Sequence, residues 1–134
     1  MPAPEPVGRV VAQWVQKADA DFLSALQLLR ARDARVADSI CFHAQQCVEK
    51  YLKGVLQAEG VGFVKTHDLC LLLDACVVRH PLWEAYRGEF EMLTQYAVQF
   101  RYPGEAATRA QARSAIEAMT RLRRELRAAL SRLR

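Results

Sequence analysis

The chain has 134 residues, a formal net charge of +4, and a composition that is 51% hydrophobic and 25% charged. That length supports one domain around one hydrophobic core, and the composition is typical of a globular protein rather than a disordered chain. No apolar run approaches the roughly 20 residues that a helix needs to cross a bilayer, so we expect no membrane association.

The N-terminal residues and the cysteines both favour a cytoplasmic protein. Residues 1–6 are rich in proline and lack the charged-then-apolar pattern of a secretory signal. We expect a flexible tail there and one folded domain over residues 7–134. The four cysteines form no Cys-x-x-Cys pair and lie among apolar positions, where a free thiol behaves as a small hydrophobic group.

Two long helices are predicted first. Apolar residues recur at steps of three and four over residues 7–32, which is the spacing of a helix that buries one face. The acids Asp19 and Asp21 of this helix are expected to face solvent. In the alternative, one of them pairs with a basic residue of a neighbouring helix. A short polar link makes the second helix, over residues 36–58, antiparallel to the first.

Three more helices follow a loop that contains glycine. Thr66 is a good N-cap for a short third helix, which Pro81 ends. A fourth helix is predicted over residues 82–99, and a last one over residues 105–132 follows a Pro-Gly turn. No alternating strand pattern occurs, so the sequence predicts an all-α protein: an up-and-down four-helix bundle with one additional short helix.

The surface of the second helix is the most informative part of the sequence. Phe42 and Leu56 lie off its buried stripe, and two large apolar groups on a polar face suggest a second buried surface. We expect that surface to be the interface of a homodimer. Polar residues at spacings of three, four and seven are neighbours on one flank of the stripe, namely His43, Gln46, Lys50 and Lys53.

Three short patterns in the chain resemble one family. Residues 42–53 read Phe-His-Ala-Gln-Gln-x-x-Glu-Lys-x-Leu-Lys, residues 65–69 read Lys-Thr-His-Asp-Leu, and residues 101–103 read Arg-Tyr-Pro. Together they resemble the HEPN domain family, over nearly the whole chain. The resemblance implies the same helical bundle and nucleotide binding. In one branch of the family it also implies a partner, a minimal nucleotidyltransferase, in a toxin–antitoxin-like pair.

The family resemblance also bears on ribonuclease activity. Many toxins of the family use an Arg followed, after four to six residues, by a His, and two such motifs meet at the dimer interface. Here no His lies beyond His80, so Arg101 has no such partner. Cleavage of RNA through the 2′-hydroxyl benefits from a general base of near-neutral pKa.

We therefore expect no catalytic residues and do not favour RNA as a ligand. The chain resembles the branch of the family that lacks the motif. The alternative is a metal-independent ribonuclease that uses Arg101 with another base at the dimer interface.

Arg101 and Tyr102 lie at the tight break before the last helix. If they meet the polar flank of the second helix, the guanidinium would hold a phosphate and the ring would stack on a base. In the alternative, His43 makes a core hydrogen bond, the lysines are solvated and Arg101 caps a helix end. The predicted ligand-binding residues are His43, Gln46, Lys50, Lys53, Arg101 and Tyr102.

Two further features have ordinary explanations. The pairs His67–Cys70 and Cys76–His80 have the spacing of metal ligands on a helix, but they lie among apolar residues. We expect core positions there, with His67 packed against the bundle, no metal and no cofactor. The last helix is basic, with eight Arg and two Glu over residues 109–134. We favour a solvated face there over a phosphate-binding one.

Overall fold

Five α-helices make up most of the structure. The computed structural model describes residues 6–133, so the tail predicted over residues 1–6 lies outside the described residues except for Pro6. No strand occurs within that range, which confirms the all-α prediction. The helices are α1 (Pro6–Arg30), α2 (Ala37–Ala58), α3 (Leu69–Val77), α4 (Arg87–Gln99) and α5 (Arg109–Arg132), with 3₁₀ turns at Ala34–Val36 and Pro81–Tyr86.

Helix α2 is the centre of the bundle. It contacts all four other helices, and 14 of its 22 residues are buried. Its predicted apolar stripe forms the core, and residues such as Val48, Leu52 and Val55 have no exposed surface. Burying each such side chain contributes about 1.5–3 kcal/mol relative to leaving it in water. The polar residues of α2 are therefore held on a helix that has little freedom to move.

Leu56 belongs to the same core. Its side chain is fully buried within the single chain, so the prediction that it contacts a second subunit is wrong. The reason is that α2 packs against helices on several sides, and apolar positions off its main stripe are covered as well. Phe42, by contrast, is 40% exposed.

The structure also corrects where three helices begin. Residues 81–86 form a 3₁₀ turn, so α4 begins at Arg87, five residues later than predicted. Helix α5 begins at Arg109, where a capping box holds the first turn. In that box the Thr108 hydroxyl accepts from the backbone N–H of Gln111, and the Gln111 side chain accepts from the backbone N–H of Thr108.

The N-cap of α3 is Asp68, and the prediction that Thr66 fills this role is wrong. Asp68 Oδ1 accepts a hydrogen bond of 2.9 Å from the backbone N–H of Cys70. The Thr66 hydroxyl makes the same kind of bond two residues earlier, accepting from the backbone N–H of Asp68 at 3.0 Å.

Within residues 6–133, no helix is both long enough and apolar enough to cross a membrane.

Candidate functional site

Asp21 of α1 holds two of the predicted ligand-binding residues. Asp21 Oδ1 lies 2.8 Å from His43 Nδ1, and Oδ2 accepts from Lys50 Nζ at 2.5 Å. Asp21 is only 8% exposed, so the prediction that it faces solvent is wrong. The alternative, in which an acid of the first helix pairs with a basic residue of its neighbour, is the arrangement that the structure shows. The two contacts offset the cost of burying the carboxylate.

A second buried carboxylate, Glu49, organises the next part of the α2 surface. Glu49 is 3% exposed. Its Oε2 accepts from Lys53 Nζ at 3.0 Å, and its Oε1 accepts from Gln45 Nε2 at 3.1 Å and lies 2.8 Å from His67 Nδ1. Burial by itself would raise the Glu49 pKa, but these three contacts, led by that of His67, outweigh it and lower the pKa.

Gln46 belongs to the group around Glu49, to which its Nε2 donates at 3.5 Å. Its Nε2 donates to Gln45 Oε1 at 2.8 Å, beside the Glu49 group. The predicted flank of α2 is therefore divided between two carboxylates. Asp21 contacts His43 and Lys50, and Glu49 contacts Gln46 and Lys53, so both lysines are already paired within the chain. Glu49 is not among the residues predicted from the sequence, although it lies four positions before Lys53 and its carboxylate is within reach of that ammonium.

His67 differs from the other members of this face. Its Nδ1 contacts Glu49, and the backbone C=O of His67 accepts from Gln45 Nε2 at 2.8 Å. These contacts attach the loop before α3 to α2. The His67 side chain is nevertheless 69% exposed. Its Nδ1 contacts the bundle as predicted, but most of the ring faces solvent.

Arg101 lies in a different place, an open cleft between α2 and the C-terminal end of α4. The cleft has a volume of about 230 Å³. Tyr102, the next residue, is 62% exposed and does not line the cleft. The lining residues are Asp38, Ser39, Phe42, Tyr96, Ala97, Phe100 and Arg101.

The six predicted ligand-binding residues therefore do not share one cleft. The four from α2 lie together on its polar face, and Arg101 lies with aromatic residues in the cleft. Phe42 is the link between the two places, because it lines the cleft and its ring meets the His43 ring edge-on at 5.4 Å. The aromatic ring that accompanies Arg101 is thus Phe42, which the sequence predicted as an interface residue.

A third acidic centre, Asp19, joins α1, α2 and α5. The Tyr51 hydroxyl donates to Asp19 and accepts from Arg123 Nε at 2.8 Å, while Arg127 Nη1 donates to Asp19 at 2.9 Å. Burial, followed by the bond to Asp19, raises the pKa of Tyr51 to about 12. The Arg123 guanidinium also stacks 4.0 Å from the centre of the Phe22 ring. These contacts hold α1, α2 and α5 together, so we assign the cluster a role in stability.

Comparisons with known proteins agree with this architecture. Residues 11–129 match the sequence model of the HEPN domain. The crystal structure of TT1696 from Thermus thermophilus is similar in fold, with a TM-score of 0.75 over 89% of this chain and 97% of that one, at 21% sequence identity. No protein of curated function matches the chain significantly. The match to the family model covers nearly the whole domain, and the chain therefore belongs to the HEPN domain family.

Proposed function

We propose that this HEPN domain is a nucleotide-binding interaction module that forms homodimers and acts with a nucleotidyltransferase partner, as in toxin–antitoxin pairs. The observation that carries the proposal is that the Arg101 guanidinium and the exposed ring of Phe42 line the same cleft. A guanidinium binds phosphate through paired N–H groups, and an exposed aromatic ring offers a stacking surface to a base. Tyr96 and Phe100 add further aromatic surface to this cleft.

A binding titration tests the nucleotide site. Fluorescently labelled ATP and GTP are titrated against the wild-type protein and Arg101→Ala, with Arg124→Ala as the control because Arg124 is an exposed arginine of α5. Loss of the charge-assisted bonds should weaken binding about tenfold in Arg101→Ala and leave the control unchanged. Equal affinity of all three proteins would mean that the nucleotide binds outside the Arg101 cleft, and no saturable binding to any of them would favour a helical scaffold without a ligand.

Phe42 supports the homodimer. It is a large apolar side chain with 40% of its surface exposed, on a face of α2 that is otherwise polar. Phe42→Ser should shift the dimer towards monomer in sedimentation-velocity runs at micromolar concentration. Leu71→Ser is the matched control, since Leu71 is an exposed apolar residue of α3. A wild-type protein that sediments only as a monomer would remove this part of the proposal.

The nucleotidyltransferase partner is supported by membership of the family. Two observations test it: a short nucleotidyltransferase in the neighbouring reading frame, and co-purification of its product with this chain after co-expression. A neighbouring frame of unrelated chemistry, together with no co-purification, would contradict the partner without affecting the nucleotide site.

One observation favours a second function, a metal-independent ribonuclease. Asp21 holds Nδ1 of His43, and His43 is adjacent to Phe42 of the Arg101 cleft. An imidazole oriented by a carboxylate can act as a general base. Incubation with mixed RNA separates the two functions. Cleavage that is lost in both His43→Gln and Arg101→Ala, and kept in Arg124→Ala, would establish the ribonuclease, and intact RNA would exclude it.

A further inference from the structure

A second cleft lies at the end of the bundle where α1 ends and α5 begins. It is open, has a volume of about 450 Å³ and is lined by Leu29 and four arginines. Two of the arginines belong to the end of α1 and the turn after it, and two belong to the first turns of α5. They are Arg30, Arg32, Arg109 and Arg113.

Within the described part of the chain, none of these four guanidinium groups is paired with an acid. Among residues 6–133, every ion pair that involves an arginine uses Arg35, Arg87, Arg121, Arg123 or Arg127. The nearest acid in sequence is Asp33, and both of its oxygens bind the Arg35 guanidinium. Four like charges around one cleft repel each other, and an anion in the cleft would remove that repulsion.

The backbone conformation of Arg32 also supports a binding site at this cleft. Arg32 has φ 55°, and it is the only non-glycine residue with positive φ within residues 6–133. It stands just after α1, where its backbone N–H donates to the C=O of Leu29 at 3.3 Å. Glycine adopts this conformation without the steric cost that a Cβ brings. An arginine at this position is unfavourable for the turn, and its side chain lines the cleft.

The lining of the cleft indicates what the anion is. It consists of Leu29 and the four arginines, with no aromatic, amide or hydroxyl side chain among them. The cleft therefore offers a base no aromatic ring to stack on. Recognition there rests on charge and on hydrogen bonds from guanidinium groups, which suit phosphate oxygens. The first turn of α5 adds the favourable end of a helix dipole.

We propose that this cleft, defined by Arg30, Arg32, Arg109 and Arg113, binds a triphosphate group through its phosphates alone. The triphosphate is either inorganic or the tail of a nucleotide. A triphosphate places several negative charges in a compact volume, which matches guanidinium groups that converge on one cleft. A nucleic-acid backbone instead spreads its charges along an extended path. This site is independent of the cleft that contains Arg101.

Isothermal titration with inorganic tripolyphosphate in the Arg101→Ala background tests the proposal, because this probe carries the phosphates without a base and the variant lacks the other guanidinium proposed to bind phosphate. We expect saturable binding that weakens about tenfold in Arg113→Ala and less in Arg113→Lys, since lysine keeps the charge but not the planar fork. Raising the salt concentration from about 50 mM to about 500 mM should weaken binding further. Arg124→Ala should bind as the wild type does, since Arg124 is an exposed arginine outside this cleft.

Arg32→Gly separates binding from folding. Glycine accepts positive φ, so this variant should melt at the wild-type temperature or above it while binding tripolyphosphate about tenfold more weakly. Binding unchanged in both Arg32→Gly and Arg113→Ala would overturn the proposal. So would the absence of saturable binding by the wild-type protein.

ATP distinguishes the sources of the triphosphate. In the Arg101→Ala background, equal affinity for ATP and tripolyphosphate supports recognition of phosphates alone. Binding of ATP without binding of tripolyphosphate overturns it, as does binding of single-stranded RNA without tripolyphosphate. Binding of tripolyphosphate without binding of ATP in this background would identify inorganic triphosphate as the ligand and would exclude the nucleotide tail.

Discussion

At the scale of single residues, buried carboxylates decide what the basic groups of α2 do. The sequence predicts His43 and Lys50 as free donors for a ligand, but Asp21 occupies both of them. A cation that is paired inside the chain adds little to the attraction of an external phosphate. Arg101 and the four arginines at the end of the bundle, by contrast, take part in no ion pair among residues 6–133.

Replacing Asp21 should cost stability. Asp21→Asn removes the charge that both His43 and Lys50 contact, and it leaves donors without a charged acceptor in a largely buried place. We expect the free energy of unfolding to fall by about 2 kcal/mol. Urea denaturation followed by circular dichroism measures the change, and Glu91→Gln is the control because Glu91 is exposed. A urea midpoint of Asp21→Asn equal to that of Glu91→Gln would contradict the stabilising role of Asp21.

Glu49 should make the protein sensitive to acid. Burial acts to raise its pKa, but the hydrogen bonds from His67, Lys53 and Gln45 outweigh burial and lower the pKa from its usual value. A carboxyl with a lowered folded-state pKa contributes stability above the unfolded-state value, and that stability is lost as the pH falls through the folded-state value. Unfolding free energies measured from pH 7 downwards should therefore decline less below about pH 4.3 in Glu49→Gln than in the wild type.

The comparison of Glu49→Gln with the wild type could also contradict this expectation. Parallel curves for the two proteins over the acid range would show that Glu49 titrates alike in the folded and unfolded states. Asp19 shares the direction of shift, since its bonds to Tyr51 and Arg127 outweigh burial and lower its pKa. Some loss of stability in acid should thus remain in Glu49→Gln.

At the scale of the helices, periodicity predicts the elements but not their first residues. The apolar repeats place all five helices, because each buries a stripe against the others. The first residue of a helix depends on which nearby side chain accepts from the first free backbone N–H groups. Residues 66–68 contain two such side chains, Thr66 and Asp68, and either could be the N-cap. The delayed start of α4 reflects the 3₁₀ turn that Pro81 begins, a turn for which apolar spacing gives no signal.

The cap of α5 gives a direct test. Thr108→Ala removes the hydroxyl that accepts from the backbone N–H of Gln111, so one side of the capping box is lost. Losses of this kind are about 1 kcal/mol. Ser131→Ala, near the other end of the same helix, serves as the control. Thermal unfolding should separate the two variants by a few degrees, and coincident melting curves would mean that the box contributes nothing to stability.

At the scale of the whole molecule, the candidate site depends on contacts between distant parts of the chain. The spacing alone places His43, Gln46, Lys50 and Lys53 on one flank of a helix, and all four belong to α2. Spacing cannot show that Asp21 reaches His43 or that Arg101 comes to Phe42, since these depend on how α1 and α4 pack on α2. The sequence does not predict the arginine cleft for the same reason, because its arginines come from residues 30–32 and from residues 109–113.

The reactivity of the cysteine thiols measures how readily the buried core of the bundle opens. Burial raises the pKa of Cys41 and of Cys76 to about 12 and raises that of Cys47 as well, so these three buried thiols are inert in the folded protein. Cys70 also has a raised pKa, mainly from burial, but it is partly exposed. A thiol reagent at about pH 8 should therefore modify Cys70 first.

The other three cysteines should react only as fast as the bundle opens, and their rate should rise in Asp21→Asn, which weakens the contact of α1 with α2. Mass spectrometry of the native protein over time measures both phases. Cys70→Ser should remove the first phase and leave the slow one unchanged. Rapid modification of more than one thiol in the wild type would mean that the core around α2 opens far more readily than its burial implies.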